Sequence, residues 1–179
     1  PFLMKSAGPV RASMKRAALL VLPSGFLQDV FGRFGMKGRI VSNIIDLTRF
    51  RPADDGRAPA AHIVVARNLE AIYGIETALR AFAKIQAVRP DARLSVAGSG
   101  PQLAELQALA VRLGVADQVH FTGRLDREEM ASLYRDADLT LNPSRVDNMP
   151  NSVLEALASG VPVVTTDVGG IPYIVQHEV

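Results

Sequence analysis

The chain of 179 residues has no cysteine and no tryptophan, and its charges nearly cancel. The lack of cysteine excludes disulfides, zinc–thiolate sites and cysteine nucleophiles. With 20 basic and 18 acidic residues, the formal net charge is only +2, so general nucleic-acid binding is not indicated. The three histidines, His62, His120 and His177, lack the spacing of metal ligands, so we expect no metal site.

Long hydrophobic runs are also missing. The apolar residues 17–22 follow Lys15 and Arg16, but this run is too short for a signal peptide and lacks a small-residue cleavage site. No stretch has the length of a membrane span. The composition, with 48% hydrophobic and 21% charged residues, is typical of a globular protein. The lack of cysteine fits a reducing cytosol, so a cytoplasmic location is expected. Because the sequence starts at Pro1 and stops at Val179, we expect both ends to be cut from a longer protein.

From about residue 61, short apolar β-branched runs alternate with stretches of helical period. The predicted strands cover residues 62–66, 93–97, 119–121, 139–141 and 162–165. The predicted helices start near Gly74, run over 103–113, surround Met130 and Tyr134, and cover 152–159 and 171–176. This alternation predicts an α/β fold, a Rossmann-like doubly wound parallel sheet with helices on both faces.

The first fifty residues repeat the pattern once, with strands near 19–22 and 39–42 around a helix near 24–34. Between the two parts, residues 43–61 contain Pro52, Asp54-Asp-Gly56 and Pro59, which is typical of a linker. We therefore predict a partial N-terminal segment over 1–42, a linker over 43–61 and a main domain over 62–179.

Ligands of parallel α/β sheets bind beyond the carboxyl ends of the strands, and the residues there carry polar chemistry. These residues are Arg67 and Asn68, Gly98-Ser99-Gly100, Thr122 and Gly123, Ser144 with Arg145 and Asp147, and residues 165–170. Because all of them would line one edge of one sheet, the set is stronger evidence for a ligand site than any single motif.

Each of these candidates also has a structural explanation. Gly98-Ser99-Gly100 allows close backbone approach to a ligand, or forms a tight turn before a helix opened by Pro101. Arg67 is either a bidentate phosphate clamp or one half of a surface salt bridge.

The two carboxylates of residues 142–160 have alternatives as well. Ser152 and Glu155 have the spacing of a capping box, so Glu155 serves either the helix cap or a ligand hydroxyl. Asp147 either approaches a ligand or organises its own turn-rich loop.

Taken together, the motifs resemble the C-terminal, donor-binding domain of a GT-B-type retaining glycosyltransferase of family 4, also called group 1. The resemblance runs from about Ile40 to the last residue. It rests on Arg67-Asn-Leu-Glu with Tyr73-Gly74, Gly98-Ser-Gly-Pro, Val119-His-Phe-Thr-Gly, Asn142-Pro-Ser, an E-x7-E-like segment from Asp147 to Glu155, and Gly160-Val-Pro-Val-Val with Asp167-Val-Gly-Gly-Ile-Pro. Residues 1–42 resemble the end of the N-terminal acceptor domain.

The resemblance implies roles for particular residues. Arg67 would bind phosphate, Glu155 the ribose hydroxyls, and Asp147, where the family usually has glutamate, the transferred sugar. Met149, Pro150, Asn151 and Ser152, at the start of a helix, would face the sugar or the diphosphate. Gly98, Ser99, Gly100, Phe121 and Thr122 would also line the nucleotide site, the last two near the base. Tyr73 stands in place of the usual lysine and Tyr173 in place of a frequent glutamate.

The resemblance implies an enzyme that moves a sugar from a UDP-, GDP- or ADP-linked donor to a hydroxyl acceptor in glycan, polysaccharide or glycolipid synthesis. No cofactor or metal is implied. The alternatives are a sugar-nucleotide-binding module that is silent without its partner domain, and a sugar-nucleotide epimerase of the same fold.

Two further partners are considered. Peripheral membrane attachment would use Lys5, Arg11, Lys15 and Arg16, for which a solvated basic face is the alternative. A domain-swapped dimer through residues 1–50 would pair strands that lack the rest of their sheet. A sugar or lipid-linked acceptor would bind mainly to the N-terminal domain.

Overall fold

The computed structural model describes residues 7–14, 16–53 and 59–175, and the chain divides into two compact units. The first unit contains the chain up to Ile44, Asp147–Met149 and the segment from Gly169 onward. The second contains Ile45–Val146 and Pro150–Val168. The acidic centre of the predicted linker, residues 54–58, lies outside the described residues, as do Lys5 and Lys15 of the predicted membrane face.

The first unit has two helices and a two-stranded parallel sheet. Its elements are α1 (Ala7–Met14), β1 (Val21–Leu22), α2 (Gly25–Gly32) and β2 (Arg39–Ile40). In the sheet, Val21 pairs with Arg39 and Leu22 with Ile40. Ser24 caps α2, because its hydroxyl accepts a hydrogen bond from the Leu27 amide at 3.3 Å.

The two short late segments of the first unit differ from the predicted domain boundaries, which assigned them to the main domain. Their contacts give the reason: the Asn148 side chain accepts a hydrogen bond from the Ser24 hydroxyl at 2.7 Å, and the Tyr173 hydroxyl donates one to Asp29 at 2.6 Å. The predicted helix over 171–176 is instead a single 3-10 turn, Ile171–Tyr173, and residue 176 lies outside the described part. Gly170 precedes this turn without a side-chain cap, and Pro172 lies inside it.

The second unit is the predicted α/β layer structure. Its strands are β3 (His62–Ala66), β4 (Arg93–Ala97), β5 (Val119–Gly123), β6 (Leu139–Asn142) and β7 (Val163–Thr165). Its α-helices are α3 (Ile75–Val88), α4 (Leu103–Arg112), α5 (Arg127–Arg135) and α6 (Asn151–Ala158). The strands form one parallel sheet in the order β5-β4-β3-β6-β7. The prediction of a doubly wound parallel sheet is confirmed.

Alternating side chains of β3 supply both faces of this sheet. Ile63 and Val65 belong to a core cluster that α3 and α4 complete, with Phe82 and Leu106 among its buried side chains. Val64 points to the opposite face and belongs to the second cluster, which α5, α6 and their flanking segments complete. The continuous apolar run of β3 is therefore that of a strand covered on both faces.

His62 at the start of β3 is buried, and both of its ring nitrogens are within hydrogen-bond distance of partners. Nδ1 lies 2.9 Å from the Asp136 carbonyl oxygen and Nε2 lies 2.8 Å from the Ser95 hydroxyl. Burial lowers the pKa of this imidazole, so the neutral ring is favoured. His62 is thus a core residue at the end of the sheet opposite the carboxyl ends of the strands.

Within the described part of the chain, every helix is too short or too polar to cross a lipid bilayer.

Candidate functional site

The sheet reverses its strand order next to β3. From β3 the chain adds β4 and β5 on one side, then crosses over to add β6 and β7 on the other. In open α/β sheets, the crevice at such a reversal, beyond the carboxyl ends of the strands, is the usual ligand site. Here it lies between the segments that follow β3 and β6, which begin with Arg67 and Pro143.

Arg67, directly after β3, is held at this crevice by two side chains. Its Nε donates a hydrogen bond to the Ser144 hydroxyl at 3.3 Å, and its guanidinium carbon lies 4.5 Å from the centre of the Tyr73 ring. The contact with the ring is a cation–π interaction. Burial lowers the pKa of Arg67 from its ordinary value, but arginine stays protonated at neutral pH. A permanent positive charge therefore stands at the reversal point.

Ser144 is itself held by a buried polar network beneath Arg67. Its hydroxyl donates to the Asn142 side-chain oxygen at 2.8 Å, and the Asn142 amide donates to the Thr165 hydroxyl at 3.1 Å. The Thr166 hydroxyl donates to the Ser144 carbonyl at 2.6 Å. Because Ser144 and Asn142 are almost completely buried, these bonds fix their side chains and, through Ser144, the position of Arg67.

The glycines after β4 bring the loops after β3 and β4 into backbone contact. A Cβ on Gly98, where φ is +147°, would lie 2.0 Å from the Arg67 carbonyl oxygen. A Cβ on Gly100 would lie 2.5 Å from the Leu69 carbonyl oxygen. Neighbouring backbone leaves no room for a side chain at either position, so both must be glycine. Gly98 also lines the smaller of two cavities at this site. Helix α4 begins at Leu103, two residues after Pro101, which therefore does not open the helix as the turn interpretation supposed.

Glu155 lies in the second turn of α6, and the predicted capping box is wrong. The helix begins at Asn151, with Pro150 as its N-cap residue and no side-chain capping bond. Ser152 is therefore already helical and cannot serve as the cap. Burial raises the pKa of the Glu155 carboxyl, and the nearby positive charge of Arg127 partly opposes this shift.

Two cavities meet at Glu155. The smaller, of about 250 Å³, contains both Arg67 and Glu155 in its wall. Its lining residues are Ala66, Arg67, Asn68, Tyr73, Ala97, Gly98, Arg124, Leu125, Met130, Ser152 and Glu155. The larger, of about 640 Å³, is lined by Phe50, Arg124, Leu125, Asp126, Arg127, Glu129, Met130 and Glu155. The structure thus brings together Arg67, Gly98, Ser152 and Glu155 of the predicted site.

Other predicted residues of the second unit lie outside the lining of these two cavities, within the described ranges. The Phe121 side chain packs against the first core cluster, and the Thr122 hydroxyl donates to the Gly123 carbonyl at 3.0 Å. The Ser99 carbonyl accepts from the Leu69 amide at 3.0 Å. Pro150 is buried at the start of α6, and Asn151 is exposed. Their proposed ligand contacts stay predictions.

Asp147 and Met149 belong to the first unit. The Asp147 carboxylate accepts from the Asn148 amide at 2.9 Å, and its backbone carbonyl accepts from the Gly170 amide at 3.0 Å. These bonds are what the loop-organising interpretation of Asp147 requires. Its role toward the sugar stays a prediction.

Sequence reasoning did not single out Arg124, Leu125 and Met130, which line both cavities. Arg124 and Leu125 follow directly after β5, so the position just beyond a strand's carboxyl end was the available signal. Met130 was predicted only as part of a helix, and nothing in its spacing distinguishes a cavity wall from a core.

With this geometry established, comparison with known proteins gives the family. A family model described as glycosyl transferases group 1 matches residues 55–179. The chain belongs to this family. It is similar to the D-inositol 3-phosphate glycosyltransferase of Segniliparus rotundus, with 31% identity over 95% of this chain and 40% of that protein. It is also similar to the N-acetyl-alpha-D-glucosaminyl L-malate synthase of Bacillus anthracis, with 30% identity over 88% of this chain and 40% of that protein. The chain spans between 27% and 40% of the length of eight curated relatives, these two among them.

Solved structures of other proteins share the fold. The Anabaena protein HepE, solved with UDP and glucose, aligns with a TM-score of 0.81 over 94% of this chain and 49% of that chain, at 21% identity. The C-terminal domain of LpcC, a group 1 glycosyl transferase of Francisella tularensis, aligns with a TM-score of 0.67 over 75% of this chain and 76% of that chain, at 25% identity. The predicted α/β fold and the predicted membership of glycosyl transferases group 1 are confirmed.

Proposed function

We propose that the second unit binds the nucleotide of a sugar-nucleotide donor, and that the protein to which it belongs is a retaining glycosyltransferase. The enzyme would move a sugar from a nucleoside diphosphate to a hydroxyl acceptor in glycan or glycolipid synthesis. The observation that carries this proposal is that one cavity, at the strand-order reversal, has both Arg67 and Glu155 in its wall.

Arg67 is suited to the diphosphate. Its planar guanidinium matches the geometry of phosphate oxygens, and its charge does not depend on pH in the physiological range. The Ser144 hydrogen bond and the Tyr73 ring hold it in place before a ligand arrives. Donors that are already oriented toward the developing charge of a leaving group lower the barrier most.

Glu155 is suited to the ribose. As an ionised carboxylate it accepts hydrogen bonds from two neighbouring hydroxyls. Because Glu155 lies in the second turn of α6, the amides of the first turn stay available to bind an anionic group of the donor. A diphosphate near Arg67 and a ribose near Glu155 would therefore lie in one continuous cavity.

Retention of the anomeric configuration belongs to the same proposal. The acceptor hydroxyl would attack on the face from which the diphosphate leaves, and a phosphate oxygen would take up the hydroxyl proton. Arg67 would stabilise the negative charge of the leaving diphosphate throughout. The related folds solved with UDP and with UDP-glucose support a nucleotide-sugar donor.

Calorimetric titration with UDP, GDP and ADP and their glucose conjugates tests the donor site on the chain itself. We expect at least one nucleotide to bind and Arg67→Ala to weaken its binding by at least about tenfold, as expected for loss of a charged hydrogen-bonding partner. Arg112→Ala, which removes an exposed arginine of α4 outside both cavities, is the matched control.

Thermal unfolding of both variants shows whether Arg67→Ala has simply lost its fold. In the full-length enzyme, the loss of one oriented donor would cost about 3–4 kcal/mol in catalysis. Absence of binding by all three nucleotides, or normal binding by Arg67→Ala, would contradict the proposal.

A further inference from the structure

Three adjacent strands end in a row at the smaller cavity, and the two outer ones are followed by arginines. The strands are β5, β4 and β3, neighbours in that order. The first residues beyond them are Arg124, Gly98 and Arg67, and all three line the same cavity.

Gly98, the middle residue of this row, has no side chain and contributes only backbone atoms to the cavity wall. Its amide donates to the Gly123 carbonyl at 2.8 Å, which ties it to the residue before Arg124. On its other side, any Cβ would meet the carbonyl oxygen of Arg67. The floor between the two arginine side chains is therefore a strip of backbone, with room above it for a ligand.

Strand β5 has an irregularity in its pairing shortly before Arg124. Val96 pairs with Phe121, but the next residue, Ala97, pairs with Gly123, so Thr122 is an extra residue in β5. Such a bulge re-aims the side chains that follow it, and bulges are common beside binding sites. Here the residue that follows is Arg124, in the wall of both cavities.

Arg124 makes no ion pair with Asp126 or Glu129, the acidic residues of α5 and its cap that line the larger cavity with it. Asp126 accepts hydrogen bonds from the Glu128 and Glu129 amides, both at 2.9 Å, and Glu129 accepts one from the Asp126 amide at 2.7 Å. These two carboxylates thereby form the capping box of α5. Within the described ranges, the exposed Arg124 side chain makes no hydrogen bond or ion pair of its own.

On the opposite side of Gly98, Arg67 is held by two uncharged groups, the Ser144 hydroxyl and the aromatic ring of Tyr73. A diphosphate carries a negative charge on each phosphate, so the single positive charge of Arg67 balances only part of the charge of the ligand.

We propose that Arg124 is a second diphosphate-binding cation, which faces Arg67 across the backbone of Gly98. This inference rests on the proposed function, because it assumes a nucleoside diphosphate in the smaller cavity. It assigns to Arg124 a direct contact with phosphate, and to the bulge at Thr122 the aiming of that side chain.

The test compares nucleotide affinities with and without the phosphates. Wild type, Arg124→Gln, Arg124→Lys and the control Arg112→Gln are titrated with UDP, GDP and ADP, and the matching nucleosides are measured by competition. Each titration is repeated at low and high salt, because screening weakens contacts between charges.

We expect Arg124→Gln to weaken diphosphate binding about tenfold, while nucleoside binding stays within about twofold of wild type. Arg124→Lys should recover most of the loss, since it keeps the charge, and Arg112→Gln should have no effect. The diphosphate affinity of Arg124→Gln should also depend less on salt.

Wild-type diphosphate affinity in Arg124→Gln would overturn this inference, as would an equal loss of nucleoside and diphosphate binding, which would assign Arg124 to the base. If Arg67→Ala abolishes binding and Arg124→Gln does not weaken it, the inference fails and the proposed function stands. If wild type binds no nucleotide, both fail.

Discussion

Replacement of Gly98 by alanine tests the geometry on which the whole site depends. Gly98 has a φ of +147°, a conformation that residues with a side chain rarely adopt. Its missing Cβ would lie 2.0 Å from the Arg67 carbonyl oxygen, whereas ordinary contacts begin at 3.4 Å. Alanine at this position therefore strains its own backbone and pushes on the loop that carries Arg67.

The two effects have separate magnitudes. A residue forced into a sparsely populated backbone region costs about 1–3 kcal/mol. Overpacking that moves a neighbouring backbone costs about 1–3 kcal/mol more. Together they predict a loss of about 2–6 kcal/mol in the free energy of unfolding, which lowers Tm by roughly 5–20 °C in a protein of this size.

Thermal and urea unfolding of Gly98→Ala, with Gly114→Ala as the control, measure this loss. Gly114 also has a positive φ, +71°, but a Cβ there would meet no atom within 4 Å. Its replacement should cost only the backbone strain, about 1–2 kcal/mol. Equal stability of the two variants would contradict the close approach of Gly98 to the Arg67 carbonyl. Nucleotide titration of folded Gly98→Ala should also show weaker binding, because Arg67 has moved.

Two further predictions concern α6. Because burial raises the Glu155 pKa, nucleotide binding should weaken as the pH falls from neutral through that pKa, and Glu155→Gln should bind about tenfold more weakly with no such pH dependence. The stability of the free protein should change with pH in the opposite direction. The folded state favours the protonated carboxyl of Glu155, so the free energy of unfolding is highest below about pH 4.3 and decreases as the pH rises through the raised pKa. A pH-independent affinity in wild type would contradict the ribose role. Tyr134→Phe removes the hydrogen bond from the Tyr134 hydroxyl to the Ser152 carbonyl, 3.0 Å long, but keeps the ring against Phe50, so unfolding measurements should show a loss of about 1 kcal/mol. A loss above about 3 kcal/mol would mean that the ring packing had changed too.

The strands and helices of the second unit could be predicted from the sequence because each is identified by the apolar pattern of its own residues. A buried run such as His62–Ala66 and the apolar stripe of α3 identify a strand and a helix without reference to the rest of the chain. Strand order is different, because it depends on contacts between distant segments. The crossover that places β6 beside β3, and thus Ser144 beside Arg67, has no local signal.

The capping boxes show how local patterns mislead. Ser152 and Glu155 have the required spacing, but α6 starts one residue earlier, after Pro150, and no capping bond forms. The capping box that the structure contains, Asp126 with Glu129, has the same spacing and was not recognised. A short motif of common polar residues occurs often by chance, so its spacing alone does not show whether a capping box forms.

Tyr173 had no explanation from sequence and has one in the first unit. Its hydroxyl donates to Asp29, and its ring lies against Gly25, where a Cβ would be 2.7 Å from the ring. Both partners are more than 140 positions away in the chain. Side-chain pairs at such separation leave no trace in one sequence, so only the fold could account for the tyrosine.

The different environments of three carboxylates indicate which one a ligand would meet. Asp126, Glu129 and Glu155 all line the larger cavity, but the first two are engaged by the amides that begin α5. The Glu155 carboxylate makes no hydrogen bond among the described residues, and burial raises its pKa, so the fold keeps an ionisable group in a place that disfavours its charge. Hydroxyl donors from a ligand would stabilise that charge, and the unfavourable burial in the free protein would then be offset on binding. A residue that only served the helix cap would show the opposite pattern, with its carboxylate bonded and its pKa low, as a capping carboxylate is stabilised by the backbone amides it accepts from.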